Sequence, residues 1–122
     1  MAAALIERIC KAISNNESFK VYIVIPMHPD GDPLDSSIQQ VIKYQNRTLR
    51  GIFAAIQSVH PGSTPEDYIS IFSLCNYGYI HGIAHFNQVY VHSKLMIIDD
   101  RIVMIGSANI NDRSLNGDRD SE

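Results

Sequence analysis

His92 and Lys94 stand two residues apart in the segment Gln88 to Ile98, which reads as one strand. Side chains alternate along an extended strand, so this spacing predicts an imidazole and an ammonium on one face. Together they make a compact anion site. The lysine supplies a fixed positive charge for a phosphate oxygen. The histidine attacks phosphorus as a nucleophile or gives a proton to a leaving oxygen. Asp99-Asp100-Arg101 reads as a turn and Ile102 to Ile105 as a return strand. Pairing about a centre near residue 100 sets Ser107 and Asn109 opposite residues 91–93. Their hydroxyl and amide then reach the same anion, and Gly106 lets the backbone come close. Asp99 lies at an odd offset from His92, on the turn, where a structural role or an ion pair is expected rather than catalysis. A catalytic histidine needs a partner on its second ring nitrogen. The tail offers Asp118, Asp120 and Glu122, and an extended 119–122 puts Asp120 and Glu122 on one face.

Other segments must position these groups. Leu5, Ile6, Ile9, Cys10 and Ile13 recur at helical spacing over residues 4–15, with Glu7 and Lys11 placed for an ion pair and Asn15-Asn16 as the stop. Lys20 to Ile25 is a β-branched run halted by Pro26, expected to be a strand buried on both faces. After a loop from Met27 to Asp35, Ser36 and Gln39 form a capping box for a helix running to about Ser58. Ile38, Val41, Ile42, Leu49, Ile52, Phe53 and Ile56 mark its buried side, and His60-Pro61-Gly62 ends it. Tyr68 to Leu74 reads as a second strand and residues 76–87 as a polar loop. The whole is an α/β pattern in one domain spanning residues 1–122, a mixed β-sheet flanked by helices.

Composition narrows the functional classes. The chain has 122 residues, 45% hydrophobic and 19% charged, as expected of a folded domain. Its net charge of −3 argues against a strongly basic nucleic-acid binder. Its apolar runs are far shorter than the ~20 residues that span a bilayer, and Glu7 and Arg8 follow too early for a signal peptide. Cys10 and Cys75 lack a Cys-x-x-Cys context and are expected to be reduced, partly buried thiols in a reducing compartment. His81 and His85 have the i,i+4 spacing of a metal pair, but Gly82 weakens a helix there and no third ligand follows. Asp30, Asp32 and Asp35 lack the closing glutamate of a calcium loop. No metal site is expected.

His92-x-Lys94-x4-Asp99 followed by Gly106-Ser107-x-Asn109 resembles the duplicated signature of the phospholipase D superfamily. The longer string Val91 to Arg101, Gly106 to Ser114 and Arg119 to Glu122 is similar to the second such motif of the eukaryotic phosphatidylcholine-hydrolysing members. Val21 to Pro26, Gln40 to Phe53 and Tyr68 to Ile71 resemble the segments that precede it, so the resemblance covers nearly the whole chain. It implies a truncated half of a two-half fold, with its motif at 92–99 and further site residues in 106–122. It also implies a two-step reaction at phosphorus, without a cofactor or an active-site metal. One histidine forms a phosphohistidine and releases choline, and water or a primary alcohol then resolves it. By position, His92, Lys94 and Asp120 are catalytic, with His92 as general acid and Asp120 orienting it. Lys94, Ser107 and Asn109 bind the phosphate. Asp99, Gly106 and Glu122 belong to the motif's frame, with Glu122 the second candidate to orient His92.

The resemblance further implies a phospholipid substrate at a membrane surface, a cytoplasmic protein in peripheral membrane contact, and no nucleic-acid partner. Members of the family set two such motifs across one active site. Here His28, His60, His81 and His85 all lack a lysine two positions on, leaving one motif. The expected partner is therefore a second His-x-Lys half, in further sequence or on another chain. Two alternatives stand beside this: a homodimeric one-motif phosphodiesterase acting on nucleic acid, and, of another class, an inactive remnant that binds a partner or phosphoanion.

Overall fold

A computed structural model describes residues 1–26 and 28–107. Helix α1 (Ala2–Ser14) buries Leu5, Ile9 and Ala12, the stripe that its apolar spacing requires. It closes in a Schellman arrangement. Asn16 adopts a left-handed φ of 51°, its N–H donates to the Ile13 carbonyl, and the Glu17 N–H donates to the Ala12 carbonyl at 2.8 Å. The expected Glu7–Lys11 pair does not form. Glu17 instead pairs with Arg8 at 2.9 Å, and the Arg8 guanidinium lies 4.2 Å from the centre of the Phe19 ring. Hydrogen bonding from Asn15, then the contacts with Arg8, holds the Glu17 carboxyl below its usual range.

Strand β1 (Val21–Val24) is central in a four-stranded sheet. It pairs in parallel with β2 (Ile69–Phe72) and antiparallel with β5 (Lys94–Ile98), which pairs in turn with β6 (Ile102–Gly106). The sheet is mixed and the class is α/β. Val21 and Ile23 of β1, Ile69 opposite Val21, and Met96 opposite Ile23 share one face, and all are buried. They form a single core with Leu5 and Ile9 of α1 and with Ile52 and Ile56 of α2 (Ser36–Val59). The other face is half-buried, so β1 is sealed on one side rather than both. There Tyr22 and Phe72 bring their rings to 6.1 Å.

Helix α2 starts one residue earlier than a capping box at Ser36 would place it. Asp35 is the N-cap, extended at φ −65° and ψ 131°, and its carboxylate accepts from the Ser37 N–H at 2.8 Å. That hydrogen bonding lowers the Asp35 pKa. Of the apolar positions expected to be buried on α2, only those in its second half reach the core. Ile38, Val41 and Ile42 remain half-exposed.

The largest departure from the sequence reading lies between residues 74 and 93. Residues 76–87 are not a loop. β3 (Leu74–Ile80) and β4 (Ile83–Val89) form a regular antiparallel hairpin in a two-stranded sheet of their own. His81 and Gly82 make its two-residue turn at φ 51° and 79°, the left-handed pair that matches the twist of flanking strands. Nor is Gln88 to Ile98 one strand. The chain leaves the hairpin at Val89, crosses through Tyr90 to Ser93, and enters the main sheet at Lys94. The strand-forming run Val89, Tyr90 and Val91 continues across this junction and hides the change of sheet. Cys75, on β3, is exposed rather than partly buried, while Cys10 is half-buried, and both thiols are free.

Candidate active site

β5 and β6 turn through Asp99 and Asp100, both at φ 54°, a conformation that aspartate tolerates better than most residues. The register pairs Ile98 with Ile102 and Lys94 with Gly106, so residue numbers across the hairpin sum to a constant about residue 100. Ser107 directly follows Gly106 at the end where β5 begins. Because β5 runs opposite to β1, this is also the end where β1 finishes, Leu95 being the partner of Val24. Lys94, Gly106 and Ser107 thus gather at the carboxyl edge of β1, the edge where α/β sheets characteristically hold ligands.

Lys94 is 8% exposed and shares the helix-covered face with Met96. It lines a pocket of about 100 Å³ with Ile23, Ile25, Met96, Met104 and Gly106. Among the described residues no carboxylate, carbonyl or hydroxyl meets its side chain. Its stem is buried and its charge has no counter-charge among the described residues, so an anion at this edge is the complement that fits it.

His92 lies outside both strands, in the crossing segment, and its side chain is exposed. Strand alternation therefore does not set its direction relative to Lys94. Its ring lies 5.9 Å from that of Tyr90. The two residues remain neighbours at one sheet edge because only Ser93 separates them.

A residue pair that the sequence did not reveal braces this edge. The Gln88 side-chain oxygen accepts from the His28 N–H, and its amide nitrogen donates to the His28 carbonyl, each at 3.2 Å. The loop after β1 is thereby tied to β4, four residues before His92. A side chain reading a backbone sixty positions away leaves no local signal in sequence.

Asp99 sits at the opposite end of β5 from Lys94. Five residues of strand span roughly 17 Å, beyond the reach of an anion held at Lys94. Its carboxylate accepts from the Lys20 N–H at 3.1 Å, and its own N–H donates to the Lys20 carbonyl at 2.8 Å. The signature aspartate therefore ties the β5–β6 turn to the start of β1. Gly106 meets nothing among the described residues where a Cβ would project, so the close approach expected there is not made by any described residue. His81 occupies the hairpin turn, and His85 of β4 pairs with Gly78 of β3. Among the described residues no three His, Cys, Asp or Glu side chains group as metal ligands. Asn109, Asp118, Asp120 and Glu122 lie outside the described residues.

Comparison with known proteins bears on the same residues. The family model described as Phospholipase D matches residues 1–87 and 81–122. Phospholipase D C of Dictyostelium discoideum is 45% identical over 122 residues, covering 100% of this chain and 7% of that protein. Phospholipase D of Phytophthora infestans is 44% identical, covering 98% of the chain and 7% of its own length. Phospholipase D alpha 1 of Cynara cardunculus is 37% identical, covering 94% and 17%. The chain thus spans a small part of the relatives it matches. With the family model matching the chain from residue 1 to residue 122, the chain belongs to the phospholipase D family.

Proposed function

We propose that this chain supplies one half of a phosphodiesterase active site that hydrolyses phosphatidylcholine to phosphatidic acid and choline. The observation that carries this reading is Lys94, largely buried at the carboxyl edge of β1 without a protein partner among the described residues. A phosphate oxygen is the counter-charge that fits it. His92 stands beside it on an exposed crossing segment, where a lipid headgroup can reach the ring. Ser107, directly after Gly106, adds a hydroxyl at the same edge.

In this reading a histidine from the other half, which this chain does not supply, attacks phosphorus and forms the phosphohistidine. His92 gives its proton to the departing choline oxygen, and the same imidazole then takes a proton from the incoming water. Lys94 holds the developing charge on the phosphoryl oxygens throughout. Asn109 joins Lys94 and Ser107 around the phosphate, and Asp120 orients His92. The other His-x-Lys motif comes from sequence beyond this chain or from another chain. The protein works at the cytoplasmic face of a membrane as a peripheral enzyme. Among the described residues no helix is long and apolar enough to cross a membrane, and the relatives' shared name, phospholipase D, supports the lipid substrate.

A covalent intermediate is diagnosed by its second acceptor. With a primary alcohol present, the full-length protein is expected to divert product from phosphatidic acid to phosphatidyl-alcohol while choline release continues. Lys94→Met should slow choline release by about a hundredfold to a thousandfold. Choline release with no phosphatidyl-alcohol at any alcohol concentration would refute the phosphohistidine route.

A further inference from the structure

The β3–β4 hairpin is almost wholly uncovered. Every residue of β3 is exposed, as is every residue of β4 except Gln88. Two strands alone are marginal in water, and a hairpin of this length needs something to pack against. Its side chains describe that environment. Ile80 and Ile83 pair across the turn on one face and are 55% and 65% exposed. Tyr77, Tyr79 and Phe86 share the other face and are 79%, 75% and 58% exposed. The distal half is therefore apolar or aromatic on both faces. From Tyr68 to Ser93 there is no Asp, Glu, Lys or Arg.

A hairpin apolar on both faces needs cover on both. A medium that closes around the tip suits a hairpin that is apolar on both. The absence of formal charge matches the headgroup–acyl boundary of a bilayer, where a carboxylate or ammonium is expensive. The tyrosines add rings with an apolar body and a polar end, the type that settles at that depth. The base of the hairpin is continuous with the site: Gln88 is tied to His28, and β4 runs into the segment bearing His92.

We infer that the β3–β4 hairpin is a lipid-surface anchor, inserting Tyr79, Ile80 and Ile83 at a bilayer boundary and so presenting the adjacent His92–Lys94 edge to lipid. The role of that edge rests on the function proposed above, whereas insertion does not.

The test uses the full-length protein with Ile80→Glu and Ile83→Glu combined. Two substrates are compared: phosphatidylcholine vesicles, and a short-chain phosphatidylcholine kept monomeric below its micellar concentration. Sedimentation with vesicles is expected to weaken by at least about tenfold, and vesicle hydrolysis to fall with it. Hydrolysis of the monomeric substrate should stay at the parent rate. Independently, Ile80→Trp should gain tryptophan emission that brominated phosphatidylcholine quenches. Vesicle binding equal to the parent's, or an Ile80→Trp signal that brominated lipid leaves unquenched, overturns the anchor. So does a parallel loss on the monomeric substrate, which would assign the hairpin to docking within the protein. If the parent hydrolyses neither substrate, the catalytic reading fails, while sedimentation and quenching still decide the hairpin.

Discussion

Strands β4 and β5 lie on either side of His92, and their sequences are of similar apolar character, yet their surroundings are opposite. β5 is clamped between β1 and β6, its Lys94 and Met96 turned to the core and its far end tied to Lys20 through Asp99. β4 has one strand partner, and the side-chain bonds that tie it back to the loop after β1 come from Gln88. The histidine is therefore carried on the seam between a fixed sheet and a projecting ribbon. Such a seam suits a site that must hold a phosphate firmly yet meet substrate at a surface. Burial, not strand pattern, separates the two halves of the seam.

The sharpest way to break this contrast is to remove the same atoms from both regions. Ile23→Ala, at a site 1% exposed, should cost about 2–5 kcal/mol of unfolding free energy. Ile83→Ala, at 65% exposure, should stay within about 0.5 kcal/mol. Urea unfolding of the two variants checks both. Similar costs would mean that the hairpin is packed in the folded protein.

Next in size is the Asp99 tie. Asp99→Ala loses the acceptor for the Lys20 N–H and places alanine at φ 54°, for an expected loss of about 1–3 kcal/mol. Asp99→Asn keeps an oxygen acceptor and a residue at ease in the left-handed region, so its loss should be under about 1 kcal/mol. Equal losses in the two variants would indicate that the carboxylate charge, not the hydrogen bond, does the holding.

The smallest effect is the pH dependence of α2. The folded Asp35 pKa is lowered by hydrogen bonding to Ser37, so the unfolded chain takes up this proton first as pH falls. The cap's stabilisation is complete above the ordinary carboxylate range and is lost as pH drops through the lowered folded value. The thermal midpoint of Asp35→Asn should therefore change less with acidification than the parent's. An unaltered slope would contradict the assignment of Asp35 as the working cap.

Much of the buried region was legible in the sequence. The stripe of Leu5 and Ile9, the β-branched run of β1 and the β5–β6 turn all follow from periodicity and turn chemistry, and the register about residue 100 brought Gly106 to Lys94. The exposed region was not. His81-Gly82 is a two-residue turn without the Asn-Gly or Asp-Gly that normally announces one, and the glycines and histidines of 76–87 read as loop. The unbroken β-branched and aromatic run through Val91 concealed the change of sheet, so the parity argument that joined His92 to Lys94 used a strand that begins only at Lys94. Asp35 won the cap from Ser36 because either residue can serve and backbone geometry decides. Asn109 was read from the hairpin's register and Asp120 from the need of His92 for a carboxylate partner, with the family's motif adding to both, and both lie outside the described residues.

The central claim is that His92 works chemically at the edge where Lys94 holds a phosphate. Its direct test is choline release from phosphatidylcholine by the full-length protein carrying His92→Asn, with the thermal midpoint measured on the same sample. His92 is exposed, and among the described residues its side chain makes no hydrogen bond, so the midpoint should not move. The rate should fall by about a hundredfold to ten-thousandfold. A variant as stable as the parent that releases choline at the parent's rate would contradict the account.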